Sequence, residues 1–136
     1  MLIVDASVAV KWVLDEAGDL AARAIIEQRV PLVAPELIVA EVTNVAWKRH
    51  VNGDITLRQA RLIAVEVPRV FSQLVALRPL RGRALTIASE LRHAVYDCFY
   101  LALAEERDVT MVTADRRLVA RLAGSRWESR CRPLVA

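Results

Sequence analysis

Short apolar runs alternate along the chain with longer stretches in which apolar residues recur every three or four positions. A short run rich in Val, Ile and Leu is typical of a buried strand, whereas the longer spacing predicts an amphipathic helix. Strands are predicted at residues 2–4, 30–35, 71–77, 109–113 and 132–135. Helices are predicted at residues 8–14, 20–26, 35–50, 56–67, 84–93, 97–107 and 115–122.

The order of these elements predicts an α/β protein. Helices separate the strands, and the connections are too long for β-hairpins, which favours a mainly parallel sheet covered by helices on both faces. We therefore predict a three-layer α/β/α fold formed by a single domain of residues 1–136. The strand at residues 30–35 is flanked by prolines and is expected near the edge of the sheet.

Composition agrees with a folded domain and excludes several classes of protein. Hydrophobic residues make up 55% and charged residues 26% of the chain, which excludes a disordered protein. The longest run without a charged residue, residues 70–77, is far shorter than the ~20 apolar residues of a membrane helix. No basic segment precedes the first apolar run, and Asp5 interrupts it, so we expect no signal peptide, no membrane association and a cytoplasmic location.

Charge alone says little about the partner. The net charge is +3, and nearly all of the basic residues are arginines, whose guanidinium groups suit contacts with phosphate. Arg116 and Arg117, beside Asp115, are the first candidates for such contacts, and Lys11 and Arg92 are the next. Each of the four also fits an ordinary solvated helix face, so a polyanionic partner is permitted but not identified.

Four acidic residues break the local pattern. Asp5 directly follows the strand at residues 2–4, and Asp115 comes just after a later strand, so parallel strands would bring both to one edge of the sheet. Asp97 opens the most apolar helix, and Glu41 interrupts an apolar stripe. Each one alone is explained by a helix cap or an exposed charge. Together they predict an acidic cluster.

Such a cluster of negative charges requires cations, and the type of its ligand atoms determines which cation it prefers. Oxygen ligands without a neighbouring His or Cys favour a hard divalent ion, Mg²⁺ or Mn²⁺. An ion of this kind lowers the pKa of bound water and neutralises phosphate oxygens, which predicts hydrolysis of phosphodiester bonds.

The sequence around these acids resembles the PIN-domain family, specifically VapC-type toxins of toxin–antitoxin pairs. The motifs occur in family order across essentially the whole chain. They are Asp-Ala-Ser at residues 5–7, Pro-Glu-Leu-Ile-Val-Ala-Glu-Val ending just after Glu41, Tyr-Asp-Cys-Phe-Tyr-Leu-Ala-Leu-Ala around Asp97, and Thr-Ala-Asp at residues 113–115.

The resemblance implies an endoribonuclease toxin that depends on Mg²⁺ or Mn²⁺ and cleaves RNA. It implies inhibition by a VapB-like antitoxin whose C-terminal segment lies over the active site, with a homodimer and a larger toxin–antitoxin assembly as expected oligomers. The acidic quartet would be Asp5, Glu41, Asp97 and Asp115. Ser7 and Thr113 match hydroxyl positions that orient carboxylates or waters, and Ser7 is also a candidate helix N-cap.

Three other functions compete with this interpretation. A PIN-like module could bind RNA or protein without catalysis, although the complete quartet argues against it. A related metal-dependent DNA nuclease is a second alternative, but the chain lacks the extra length with which those enzymes grip duplexes. A phosphatase of the haloacid dehalogenase type would need another aspartate two residues after Asp5, where Ser7 stands.

The remaining polar and aromatic residues are given simpler roles. His50 and His93 are interpreted as residues at helix C-termini with no acid–base function. Trp47 is expected in the core, while the position of Trp12 stays open. Asn44 lies on the same predicted helix face as Glu41 and fits either an accessory role or an exposed surface position.

Overall fold

The computed structural model describes residues 1–135 and contains one sheet of five parallel strands. The strands are β1 Leu2–Val4, β2 Leu32–Pro35, β3 Gln73–Val75, β4 Met111–Thr113 and β5 Cys131–Pro133. The α-helices are α1 Ala6–Ala9, α2 Asp19–Glu27, α3 Leu37–Val51, α4 Leu57–Arg69, α5 Arg81–Leu91, α6 Val95–Arg107 and α7 Arg116–Leu122. Short 3₁₀ helices occupy Val10–Trp12, Arg78–Leu80 and Glu128–Arg130.

The sheet has helices on both sides, which confirms the predicted α/β/α architecture. Its strand order is β3-β2-β1-β4-β5, and all four ladders are parallel. From β1 the chain adds strands on one side, and after β3 it crosses to add β4 and β5 on the other. The order therefore reverses between β1 and β4, and α/β proteins bind ligands outside the carboxyl ends of strands at such a point.

The central strands are buried on both faces, as their continuous apolar sequences require. Ile3, Val4, Met111 and Val112 have at most 1% exposed surface, and they form the β1–β4 ladder. Strands covered on both faces have no polar side to present to water, so their sequences do not alternate. The carboxyl ends of β1 and β4 consequently lie side by side in a rigid part of the core.

Helix α6 is buried, as its apolar sequence predicts. Cys98, Leu101 and Leu103 are fully buried, and the helix contacts both β2 and β4. A helix that is apolar nearly all round must be covered on most of its surface. This position carries the first turn of α6 towards the carboxyl ends of the central strands.

The strand flanked by prolines, β2, lies next to the edge strand β3 and is not itself at the edge of the sheet. β2 pairs with both β1 and β3, so it lies one strand inside the sheet. Proline is accepted because Pro35 is the last residue of the strand, and the N–H group of Glu36 makes the next bond, to the carbonyl of Val75 at 2.8 Å. Pro35 therefore ends β2 and does not begin α3, which starts at Leu37.

The prediction that Trp47 lies in the core is wrong. Its side chain is 56% exposed, whereas Val42 and Ala46 on the same helix are buried. Successive helical residues differ by about 100° in direction, so the neighbour of a buried residue readily faces outward. Trp12 and Trp127 are the buried tryptophans among residues 1–135, and the Nε1 atom of Trp12 donates to the carbonyl of Ala22 at 3.0 Å.

Within residues 1–135, none of the helices is long and apolar enough to traverse a lipid bilayer.

Candidate active site

Asp5 occupies the carboxyl end of β1 with its side chain only 6% exposed. The carboxylate accepts hydrogen bonds from the Ser7 and Thr113 hydroxyls, both at 2.5 Å, and from the backbone N–H of Val8 at 3.3 Å. The bond from Val8 makes Asp5 the N-cap of α1. Ser7, proposed from the sequence as a cap, is instead the second residue of that helix, and its hydroxyl donates to Asp5.

The two hydroxyl groups join the ends of neighbouring strands. Ser7 accepts the N–H of Ala114 at 2.9 Å, and Thr113 accepts the N–H of Asp115 at 3.1 Å. Because each hydroxyl also donates to Asp5, the β1 and β4 ends are linked through a single carboxylate. Because Ser7 bonds Oδ1 and Thr113 bonds Oδ2, the orientation of the Asp5 carboxylate is fixed.

Burial makes the charge on Asp5 costly. The pKa of the Asp5 carboxyl is raised from 3.8 to about 6, chiefly because burial removes the group from water and to a smaller extent because of the charge of Asp97. The hydrogen bonds from Ser7, Thr113 and Val8 act in the opposite direction because they favour the ionised form. A nearby cation would relieve the same cost.

Glu41 reaches the same region from the second turn of α3. Its Oε1 atom accepts a hydrogen bond from the phenol of Tyr100 at 2.7 Å. Burial raises the pKa of the Glu41 carboxyl to about 7, opposed by the bond from Tyr100 and reinforced by the charges of Asp5 and Asp97. The charge of Asp97 therefore acts on both Asp5 and Glu41.

Asp97 lies in the first turn of α6 and contacts a histidine. The distance between its Oδ2 atom and Nε2 of His93 is 2.6 Å. His93 lies at the C-terminal turn of α5, as interpreted from the sequence: the helix ends at Leu91, Arg92 turns the chain with a φ of 52°, and the N–H of His93 donates to Ala88. The contact of its imidazole with Asp97 was not predicted. That left-handed turn points the imidazole towards the start of α6.

Asp115 caps helix α7. Its Oδ1 atom accepts the N–H groups of Arg117 at 2.9 Å and Leu118 at 3.4 Å. Asp115 is also linked to Asp5, because the Thr113 hydroxyl accepts the Asp115 N–H and donates to the Asp5 carboxylate. Burial first, and then the charges of Asp5, Asp97 and Asp115, raise the pKa of the nearby Cys131 thiol to about 12. Capping and membership of the cluster are therefore compatible for this residue.

Two side chains that contact the acids were not predicted from the sequence to do so. Tyr100 looked like one more core residue of an apolar helix, and nothing in the sequence pattern distinguishes it. His93 had a weak signal, because an acid in the third position of a helix commonly reaches back to the residues before the helix, and Asp97 holds that position in α6.

Basic residues do not neutralise this region. Within residues 1–135, no Lys or Arg forms an ion pair with the four acids of the predicted quartet. Lys11, a predicted phosphate contact, is engaged by Glu16 at 3.0 Å and by the carbonyl of Ala17 at 2.7 Å. Arg116 and Arg117 are exposed, and Arg116 lines a cavity of about 320 Å³ that adjoins Thr113.

The donor chemistry of the acids fits a hard divalent cation, because every candidate ligand atom is a carboxylate oxygen. In the described part of the chain, however, no three His, Cys, Asp or Glu side chains form a group that could hold a metal ion as they stand. Hydrogen bonds hold these carboxylates: Asp5 accepts from two hydroxyls, Glu41 from Tyr100, and Asp115 from backbone N–H groups. Each of these bonds directs its carboxylate and leaves further oxygen lone pairs for a cation.

Comparison with known proteins identifies the family and the fold. A family model described as "PIN domain" matches residues 2–124. The chain belongs to the PIN-domain family. Its crystallographically determined relative PAE2754 from Pyrobaculum aerophilum superposes with a TM-score of 0.67 at 26% identity, over 91% of this chain and 81% of the other.

Curated PIN relatives confirm the resemblance to VapC-type proteins. "Ribonuclease VapC3" from Pyrobaculum aerophilum is 32% identical over 120 residues, which are 86% of this chain and 91% of the relative. "Ribonuclease VapC1" from two strains of Mycobacterium tuberculosis is 34% identical over 89 residues, which are 64% of this chain. The match spans 65% of the length of those VapC1 proteins, slightly less than two-thirds.

Proposed function

We propose that this PIN-domain protein is the toxin of a type II toxin–antitoxin system and acts as an endoribonuclease dependent on Mg²⁺ or Mn²⁺. The observation that carries the proposal is the carboxylate of Asp5, which is buried at the strand-order reversal beside Glu41 and Asp97. Within residues 1–135 it has no Lys or Arg ion pair. Carboxylates in such a position are stable only when a cation or a proton joins them.

The proposed ligands of the ion are Asp5, Glu41, Asp97 and Asp115. A divalent ion bound there supplies an activated water and neutralises the phosphate oxygens of RNA. Ser7 and Thr113 keep the Asp5 oxygens directed towards the site, because their hydroxyls donate to both oxygens at once. Since burial raises the pKa values of Asp5 and Glu41, loading of the ion releases protons from these groups near neutral pH.

RNA would lie across the exposed side of this edge. Arg116 and Arg117 are exposed next to Asp115, and the cavity beside Thr113 continues along Arg116. Guanidinium groups in that place suit phosphates on either side of the scissile bond. Lys11 has a smaller part in the proposal, because Glu16 and Ala17 already occupy its ammonium group.

A VapB-like antitoxin, a homodimer and a higher toxin–antitoxin assembly complete the proposal, with the cytoplasm as its location. Exposed apolar side chains on α3 and α4 support a protein-binding face there, since Trp47, 56% exposed, and Leu57, 46% exposed, line one cavity between these helices. Exposed clusters of this type mark interaction surfaces. The resemblance to VapC toxins provides the identity of the proposed partner.

The test combines cleavage in vitro with growth in cells. Purified protein is incubated with a structured RNA and with DNA of the same sequence, with Mg²⁺, with Mn²⁺ and with EDTA. We expect metal-dependent cleavage of RNA, its loss in Asp5→Ala and Asp97→Ala, and growth arrest by the parent alone. Circular dichroism verifies that the variants fold.

Matched controls keep the test specific. Asp15→Ala and Glu106→Ala remove exposed acids outside the cluster and should cleave like the parent. Cleavage of DNA in preference to RNA would favour the DNA-nuclease alternative, and RNA binding without cleavage would favour the non-catalytic module. Full activity of Asp5→Ala with metal present would refute the assignment of the quartet.

A further inference from the structure

We propose that Tyr100 is a positioning residue that holds Glu41 in the orientation needed to bind the catalytic cation. This inference rests on the proposed metal-dependent function. It deepens that function by assigning a role to a side chain which the sequence presents only as part of the core. Tyr100 itself touches neither RNA nor the ion in this proposal and acts through Glu41.

The geometry of α6 makes the contact specific. Tyr100 lies three residues after Asp97, so both side chains leave the same face of the helix. The tyrosine is fully buried, with 0% exposed surface, and its ring is fixed by the surrounding core. Its hydroxyl donates to Oε1 of Glu41 at 2.7 Å. One helix thus presents a predicted ligand directly and orients a second ligand that stands on α3.

Glu41 needs such a restraint more than the other acids do. It has the longest side chain of the four, and no Lys or Arg within residues 1–135 forms an ion pair with it. The charges of Asp5 and Asp97 act on it, so repulsion favours rotation of its carboxylate towards water. A hydrogen bond from a rigid neighbour opposes that rotation.

The chemistry of the donor suits this task. Burial, and then the charge of Glu41, raise the pKa of the Tyr100 phenol well above its ordinary value. The phenol is therefore protonated and uncharged at neutral pH, and it donates a hydrogen bond without neutralising Glu41. A lysine in the same place would fix the carboxylate but would compete with the cation. Ser7 and Thr113 likewise donate hydrogen bonds from neutral hydroxyl groups to the Asp5 carboxylate. Partners of this kind commonly change metal affinity by about 10-fold to 100-fold.

The experiment measures Mn²⁺ binding to the full chain by calorimetry, alongside RNA cleavage. Tyr100→Phe removes only the hydroxyl, and Tyr96→Phe removes the exposed hydroxyl of a tyrosine on the same helix as a matched control. We expect Tyr100→Phe to weaken Mn²⁺ binding by about 10-fold or more, whereas Tyr96→Phe stays within about twofold of the parent. Raising the Mn²⁺ concentration should recover most of the cleavage by Tyr100→Phe.

A double-mutant cycle with Glu41→Gln separates positioning from a general structural effect. If Tyr100 acts through Glu41, adding Tyr100→Phe to Glu41→Gln should change the Mn²⁺ Kd by less than about twofold. An undiminished effect in that background would overturn the inference.

The other possible results distinguish failure of this inference from failure of the proposed function. A parent that binds Mn²⁺ and cleaves RNA, together with an equally competent Tyr100→Phe, overturns the inference and leaves the proposed function intact. A parent that neither binds Mn²⁺ nor cleaves RNA overturns both. Tyr100→Met, which also lacks the hydroxyl, is measured in parallel, and loss of the fold in both variants would assign Tyr100 a structural role and overturn the inference.

Discussion

The Nε2 atom of His93 lies 2.6 Å from Oδ2 of Asp97, across the turn that joins α5 to α6. The turn is held from two sides: the N–H of His93 donates to the carbonyl of Ala88 at 3.2 Å, and Arg121 donates to the carbonyl of Arg92 at 2.7 Å. The imidazole is therefore presented to a predicted metal ligand by an ordered segment. The imidazole is not proposed as a metal ligand, because its Nε2 atom contacts the Asp97 carboxylate.

Removing this imidazole should weaken metal binding without abolishing the fold. We expect His93→Ala to lower Mn²⁺ affinity by about 10-fold, because Asp97 loses the neighbour that directs its carboxylate. His50→Ala is the matched control, since His50 contacts the carbonyl of Ile55 and not an acid of the cluster. Calorimetric titration of both variants with Mn²⁺ provides the measurement, and equal affinities would contradict the prediction.

The hydroxyl of Thr113 should matter for both stability and metal binding. Thr113→Val keeps the buried shape but removes the donor to Asp5 and the acceptor of the Asp115 N–H. We expect a loss of ~1–3 kcal/mol in the free energy of unfolding, together with a further rise in the pKa of Asp5. Thr113→Ser restores the hydroxyl and should recover most of the loss. Urea unfolding of the three proteins without metal tests this, and a neutral Thr113→Val would show that the hydroxyl contributes nothing.

The pH dependence of stability should reveal the buried charge on Asp5. In the metal-free protein the pKa of this carboxyl is about 6, above its ordinary value of 3.8, so between these pH values the native state binds more protons than the unfolded state. Stability must then fall as the pH rises through this window. At ~1.4 kcal/mol per pKa unit, we expect Asp5 to cost on the order of 1–2 kcal/mol between pH 5 and pH 8.

Asp5→Asn removes this titration together with the effect of the Asp5 charge on Glu41. Subtracting the unfolding free energies of the variant from those of the parent at pH 5 and pH 8, both in EDTA, gives the contribution of this carboxyl, including its coupling to Glu41. The difference should become less favourable to the parent at pH 8. A difference that does not change with pH would mean that Asp5 is ionised without cost.

Neutralising Asp97 should stabilise the metal-free protein while removing its activity. Burial is the main cause of the raised pKa values of Asp5 and Glu41, and the charge of Asp97 adds to both. Asp97→Asn keeps an oxygen near His93 but deletes this charge. We expect a gain on the order of 1 kcal/mol in unfolding free energy at pH 8 in EDTA, because like-charge repulsion is relieved. Glu106→Gln removes an exposed charge from the same helix and should have little effect. Destabilisation by Asp97→Asn would show that the charge itself is needed by its histidine partner.

Several elements were predictable because the signals that specify them are local. Thr56 caps α4 with a reciprocal bond to Gln59, and this Thr-to-Gln spacing is readable in the sequence. The boundaries were less accurate: the strand predicted at residues 71–77 contracts to Gln73–Val75, and the predicted cap at Ser7 is replaced by Asp5. Such ends depend on which backbone groups find partners, and that depends on neighbouring strands.

Burial of individual residues was predicted unevenly for the same reason. Apolar periodicity correctly identified α6 as buried, since nearly every face of it is apolar. Trp47 was placed wrongly, because α3 has apolar residues on more than one face and only its packing against α4 decides which of them is covered.

The sequence by itself determined the α/β class, the resemblance to VapC-type PIN domains, and the arrival of Asp5 and Asp115 at one sheet edge. The type and order of the elements follow from patterns that extend over only a few residues, and the parallel sheet follows from the length of the connections between strands. Only the tertiary structure decided how the acids are held: Glu41 by Tyr100, 59 positions apart, and Asp5 by Thr113, 108 positions apart. Those contacts join distant segments whose approach is set by packing of the whole core, and no local pattern encodes it.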